Sequence, residues 1–310
     1  MNKLEAWIRI IRPLIVFLGG FGATVGFLNV TIGSGMEWTS GHTIALVLNI
    51  LGGGVISAGL MVHNDYTDLA SDKVNRPNKP ICCGAIKPLT AKYVGIGMMF
   101  SSVLFGLLTT VPLGKGPNWV LGIFALFLVI SGIWYNVKGK YSGIFGHVVV
   151  AIGVGGIPYW GALAARPYDW TLMLPLAVAI GISEVGREIM VCIGDIKGDR
   201  VAGFRTTPVR VGRHRALAAA LTFYLFSLPI FLFAYFLWGG YPSVHFGYVF
   251  IVGSVIFWLV LMVTWADILR VVLQKRPEKE IWNAFERDIR TATRLGAAGF
   301  QVLLMVEAFV

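Results

Sequence analysis

The sequence predicts an all-α, polytopic membrane protein: about nine transmembrane helices around a central cavity, in one domain covering 1–310. Three observations predict it. Of the 310 residues, 56% are hydrophobic and 14% charged, where a soluble domain carries about 25% charged residues. The apolar residues gather into stretches long enough to cross a bilayer as helices, roughly 20 residues each. Lys and Arg are divided unevenly between the ends of those stretches.

The stretches run at about 13–33, 43–63, 93–112, 118–136, 145–165, 171–191, 216–238, 246–269 and 291–309. The first follows the polar Lys3–Arg12 segment, which has no small-residue cleavage site, so it reads as a retained helix and not a signal peptide. The second ends in the acidic run Asn64-Asp65-Tyr66-Thr67-Asp68-Leu69-Ala70-Ser71-Asp72. The third and fourth are separated by the short connection 113–117, and the fourth stops before Lys138 and Lys140. His147 opens the fifth, and the sixth ends in Asp195-Ile196-Lys197-Gly198-Asp199. Connections near 34–42, 166–170 and 239–245 are also short, with Gly and Pro as helix stops. The acidic clusters follow the second and sixth helices, a hint of a repeated four-helix unit.

When the spans are threaded alternately, Lys115 and Arg166 alone fall on the side opposite every other Lys and Arg. The positive-inside rule then places the N-terminus in the cytoplasm and the C-terminus outside. The net charge of +10 is thereby assigned to topology, and no nucleic-acid partner is expected. Cys82, Cys83 and Cys192 lie on the cytoplasmic side, where thiols stay reduced, and lack zinc-type spacing. The glycine groups Gly19-Gly20-x-Gly22, Gly52-Gly53-Gly54 and Gly153-x-Gly155-Gly156 read as surfaces for close helix packing in lipid.

Charged side chains at membrane depth are costly and are normally retained for function. On a helix, residues three, four and seven apart share a face. Asp65, Asp68 and Asp72 have that spacing, Asn64 lies four before Asp68, Asp195 lies four before Asp199, and Glu188 is two turns before Asp195. The spacing therefore directs each cluster into one cavity. Carboxylate oxygens suit a hard cation such as Mg2+, which is usually held by carboxylates together with substrate phosphates. Asp65, Asp68, Asp72, Glu188, Asp195 and Asp199 are the candidate metal ligands. Lys73, Arg76 and Lys79 follow the first cluster, Lys138 and Lys140 follow the fourth span, and Arg187 and Arg205 flank the second cluster. Arg offers fork geometry for phosphate and Lys a point charge, so these residues are candidates for neutralising a leaving diphosphate. The pattern points to a membrane enzyme acting on a diphosphate.

These residues resemble a known family. Asn64-Asp65-x-x-Asp68-x-x-x-Asp72 followed by Asn75-Arg76-Pro77, and Arg187-Glu188-Ile189 through Asp195-x-x-x-Asp199-Arg200-x-x-Gly203-x-Arg205-Thr206, are similar to the paired signatures of the UbiA superfamily of intramembrane prenyltransferases. Arg9-x-x-Arg12-Pro13, and Tyr135 with Lys138, match as well. Within the superfamily the second signature is most similar to the archaeal digeranylgeranylglyceryl phosphate synthases, although Val191-Cys192-Ile193-Gly194 has fewer acids than is usual there.

The resemblance implies an alkyl-transferring enzyme in which Mg2+ grips an isoprenyl diphosphate such as geranylgeranyl diphosphate. Asp68, Asp72, Asp195, Asp199 and Tyr135 would be catalytic, and Asn64 and Arg12 would join the basic residues at the phosphates. Aromatic faces, among them Tyr66, Tyr135, Tyr159 and Trp160, would stabilise the allylic cation. The acceptor would be hydrophobic or phosphorylated: geranylgeranylglyceryl phosphate, or alternatively an arene of quinone or chlorophyll-type synthesis. A transporter is disfavoured because the acids sit at helix ends on one side, with no broken-helix pair near the midplane.

Overall fold

A computed structural model of the chain describes residues 1–169, 171, 173–238, 247–273, 299, 301–306 and 309. Among the described residues, eleven numbered α-helices, two short 3-10 turns and a helical stretch at 301–306 make up the regular structure, with no strand.

The N-terminal helix α1 (Lys3–Ile11) is capped by Asn2, whose side chain accepts from the Glu5 N–H at 2.8 Å. It ends at Arg12, held in the left-handed region at φ 56°, and Pro13 starts α2 (Pro13–Thr31) at once. Proline suits a first helical position because its missing N–H is not needed there. Next come α3 (Ser40–Thr67), α4 (Leu69–Asn75), α5 (Pro88–Leu108), α6 (Trp119–Val137) and α7 (Ile144–Ala165). They are followed by α8 (Leu174–Val201), α9 (Thr207–Val211), α10 (Arg213–Trp238) and α11 (Tyr248–Leu273).

Glycine sets the helix spacing. At Gly161 a Cβ would collide with the Ala23 carbonyl and lie 2.7 Å from the Phe27 N, so α7 and α2 touch backbone to backbone. Gly53 and Gly19 make the same kind of contact between α3 and α2. Gly153 is an exception to the expected packing surface, since a Cβ there meets nothing within 4 Å. The buried core gathers Phe27, Met99, Leu121, Trp160, Leu163 and Leu176 where these helices cross. Apolar residues such as Phe17, Ile123, Phe127 and Phe226 lie exposed on the outside, as a bilayer-facing surface requires.

Among the described residues, six stretches are long and apolar enough to cross a membrane: Lys3–Thr31, Ser40–Thr67, Pro88–Leu113, Trp119–Val137, Ile144–Ala165 and Arg213–Phe233. Of the other expected spans, α8 has ample length at 28 residues but carries Glu184, Arg187 and Glu188 within it. The apolar part of α11, Tyr248–Val260, is shorter. The ninth expected span, 291–309, lies outside the described residues except for 299, 301–306 and 309. Residues 301–306 are helical and pack on α2, where the Asn29 amide donates to the Leu304 carbonyl at 2.9 Å.

Candidate active site

Both acidic runs lie at one end of the bundle and meet where α4 packs on α8. Asn75, at the end of α4, makes the join. Its amide nitrogen donates to the Asp195 carbonyl at 3.0 Å and to Ser71 Oγ at 3.2 Å, and its amide oxygen accepts from the Gly198 N–H at 3.0 Å. Gly198 is required here, because a Cβ would lie 2.5 Å from the Ser71 carbonyl. Arg76 adds a charged clamp, with Nη2 at 2.6 and 2.9 Å from the two Asp195 oxygens.

The first run does not present one helical face. α3 ends and α4 begins at Asp68, whose backbone (φ −86°, ψ 2°) leaves the helix. Asp65 and Asp72 turn to one cation: Lys79 Nζ lies 2.9 Å from Asp65 Oδ1 and 2.6 Å from Asp72 Oδ2. Arg12 Nη2 also reaches Asp65, at 2.6 Å. Asp68 turns to Lys140, which also donates to Asn64 Oδ1 at 2.8 Å, while Asn64 Nδ2 donates to Asp68 Oδ2 at 2.8 Å. The run thus spans the end of α3 and the start of α4, and its acids divide between two cations. The break lets Lys79, from the loop after α4, and Lys140, from the turn after α6, each claim part of the run. Burial pushes the Asp72 carboxyl above its ordinary value; Lys79 opposes this, and Asp68 and Asp65 add to it.

In the second run, Asp199 accepts from Ser71 Oγ at 2.9 Å and Thr206 Oγ1 at 3.1 Å. Deeper in α8, Arg187 is gripped by both neighbouring glutamates: Nε lies 2.7 Å from Glu184 and Nη2 3.0 Å from Glu188. The Tyr135 hydroxyl lies 3.4 Å from Glu188, and its ring centroid is 5.8 Å from the Lys140 ammonium.

Several expected residues stand apart. Lys73, Lys138 and Arg205 are exposed and form no ion pair among the described residues. Arg205 contributes its backbone instead, donating to the Lys140 carbonyl at 3.0 Å. The Tyr66 ring lies 5.6 Å from the Lys92 ammonium and packs against the apolar cluster that contains Ile10 and Ile86. Tyr159 packs edge-on against Phe124, and Trp160 is fully buried in the core. Ser71, Asn75 and Thr206 join the site through neutral polar contacts, outside the set of acids and bases. The spacing of Asp68, Ser71, Asp72 and Asn75 by three and four was the available signal.

The donor set fits a hard divalent cation. It consists of carboxylate oxygens, those of Asp65, Asp72 and Asp199 buried, the ligand type that Mg2+ takes. Among the described residues, no three carboxylate, imidazole or thiol groups converge on one point. Each carboxylate is instead satisfied by a Lys, Arg, Ser or Thr side chain, and the long cationic chains can swing aside.

Residues 20–277 match the UbiA prenyltransferase family. A digeranylgeranylglyceryl phosphate synthase of Pyrococcus horikoshii is 32% identical over 229 residues, covering 74% of this chain and 77% of the relative. The synthase of that name in Thermococcus kodakarensis is 30% identical over 235 residues, covering 74% and 78%. Among solved structures, a UbiA homolog from Aeropyrum pernix superposes with a TM-score of 0.67 at 18% identity, covering 93% of this chain and 97% of the other. A UbiA homolog from Archaeoglobus fulgidus bound to GPP and Mg2+ superposes with a TM-score of 0.64 at 16% identity, covering 98% and 100%. With its acidic signatures on α3–α4 and α8 and its all-helical membrane fold, the chain belongs to the UbiA prenyltransferase family.

Proposed function

We propose that the protein transfers a geranylgeranyl group from its diphosphate to geranylgeranylglyceryl phosphate, releasing pyrophosphate, with Mg2+ as cofactor. The observation that carries the reaction type is the meeting of two carboxylate clusters with Arg12, Arg76, Lys79 and Lys140 at one end of the helix bundle. The acceptor is inferred from the names of the relatives at 32% and 30% identity. By the positive-inside rule this end faces the cytoplasm.

Asp65, Asp68, Asp72, Asp195 and Asp199, with Glu188, would hold the metal, and a metal there supplies charge neutralisation for the leaving diphosphate. The residues of the chain do the rest. Arg12, Lys79, Arg76 and Lys140 move donors from carboxylate to phosphate oxygens, and such preorganised donors are effective in a site poor in water. As the allylic C–O bond opens, the Tyr135 face offers a surface for the positive carbon. The apolar interior keeps water from capturing it. The acceptor hydroxyl oxygen then bonds to that carbon, its proton passing to the released pyrophosphate or to water, and a phosphate on the acceptor draws on the remaining cations.

The test is an assay of purified protein with radiolabelled geranylgeranyl diphosphate and Mg2+. Geranylgeranylglyceryl phosphate, 4-hydroxybenzoate and dihydroxynaphthoate are offered separately. Product with the glyceryl phosphate alone is expected. Product with an arene alone moves the protein to quinone synthesis. No product and no pyrophosphate from any pair, in folded protein, sinks the reading.

A further inference from the structure

We propose that Lys79 is a resident counter-cation of the Asp65–Asp72 pair, which a divalent metal must displace, so that metal binds well only when a diphosphate is present to receive the displaced ammonium. This rests on the reading that the two clusters take a metal diphosphate, and it adds a coupling that the reading does not contain.

The geometry carries it. One ammonium bridges two carboxylates, at 2.9 and 2.6 Å, and each carboxylate side chain is 3% exposed while that of Lys79 is 14% exposed. One ammonium held between two buried carboxylates compensates both, and neither is left without a partner. Arg12 adds a second cation on Asp65 at 2.6 Å, and Arg76 lies 3.6 Å from Asp72. The pair is therefore already compensated, and a divalent ion on the same oxygens would strand the Lys79 ammonium in a dry site. A buried charge stripped of its partner is strongly unfavourable.

Lys79 can relocate where a helix residue could not follow as easily. It sits in the turn that begins at Arg76, where its N–H donates to the Arg76 carbonyl at 3.0 Å and its carbonyl accepts from the Cys83 N–H at 3.0 Å. Its flexible four-carbon stem pivots from that anchored backbone. A diphosphate supplies the missing anion, and the coupling must be reciprocal: each ligand tightens the other by the same factor.

The experiment uses the full chain in detergent, with Mn2+ as the metal probe read by electron paramagnetic resonance and calorimetry, and inorganic pyrophosphate as the anion. Lys79→Met is expected to bind Mn2+ alone about tenfold more tightly than wild type, within the usual range of such couplings. Lys79→Arg should stay close to wild type. Pyrophosphate, after correction for the complex it forms with Mn2+ in buffer, should tighten Mn2+ in wild type and do so less in Lys79→Met. An unchanged or weaker affinity of Lys79→Met for Mn2+ alone overturns the proposal while leaving the metal-diphosphate reading intact. Failure of every protein to bind Mn2+ with pyrophosphate overturns both. Should Lys79→Met not fold, mass-spectrometric labelling of Lys79 in wild type with an amine-reactive reagent decides. The residue should be protected in buffer, reactive with saturating Mn2+, and protected again when pyrophosphate is added. Protection that persists with Mn2+ alone refutes the proposal.

Discussion

Arg76 grips both carboxylate oxygens of Asp195, at 2.6 and 2.9 Å, and so fastens the helix that carries the first acidic run to the helix that carries the second. The two residues are 119 positions apart, and their clamp decides how the half-sites face each other.

Arg76→Lys should therefore loosen the site without removing its charge. A lysine has a single nitrogen and cannot hold Asp195 with one arm while the other lies beside Asp72, as Arg76 Nη2 and Nη1 do at 2.6 and 3.6 Å. Loss of a charged hydrogen bond costs about 1.5–3 kcal/mol, so transfer should fall roughly tenfold or more. A double-mutant cycle with Arg76→Ala and Asp195→Ala, scored by apparent Tm and kcat/KM, checks the pairing. Strictly additive losses would contradict it.

Gly198→Ala places a methyl 2.5 Å from the Ser71 carbonyl, a backbone atom that cannot rotate away. The helices α4 and α8 must part, and overpacking of this kind costs about 1–3 kcal/mol. Apparent Tm and transfer activity should fall together. Wild-type activity in this variant would show that the α4–α8 contact does not set the geometry of the site.

The Tyr135 hydroxyl is 3.4 Å from Glu188, a long contact, whereas its ring lies near Lys140 at 5.8 Å. The face is the working part on this reading. Tyr135→Phe should retain most of kcat, and Tyr135→Leu should lose about tenfold, the scale of a desolvated cation–π contact of about 1–2 kcal/mol. Equal losses in the two variants would assign the role to the hydroxyl instead.

Chelation with EDTA should abolish transfer, and added Mg2+ should restore it. Asp68→Ala should cost at least about a hundredfold, the usual scale for losing one electrostatic group at a reacting centre, and excess Mg2+ should not rescue it. Activity that survives chelation would remove metal from the reaction.

Much of this protein was legible in local sequence. Hydropathy placed the apolar helices, since burying backbone in lipid demands long helical stretches. Acid spacing marked the ends of α3–α4 and α8 as the site. Where local spacing failed, a distant partner had intervened. Spacing groups Asp68 with Asp65 and Asp72, but it does not reveal that Lys140, 72 positions away, meets Asp68 while Lys79 meets the other two. Asn75 and Thr206 stand in the signatures and Ser71 in the acidic run, yet their contacts exist only opposite α8 and its following loop. Helical period and hydropathy act over three or four residues, so the sequence by itself determined a polytopic helical enzyme with two acidic signatures. Which cation meets which carboxylate was decided by tertiary packing alone, because charge pairing in a dry site depends on ångström distances between segments far apart in the chain.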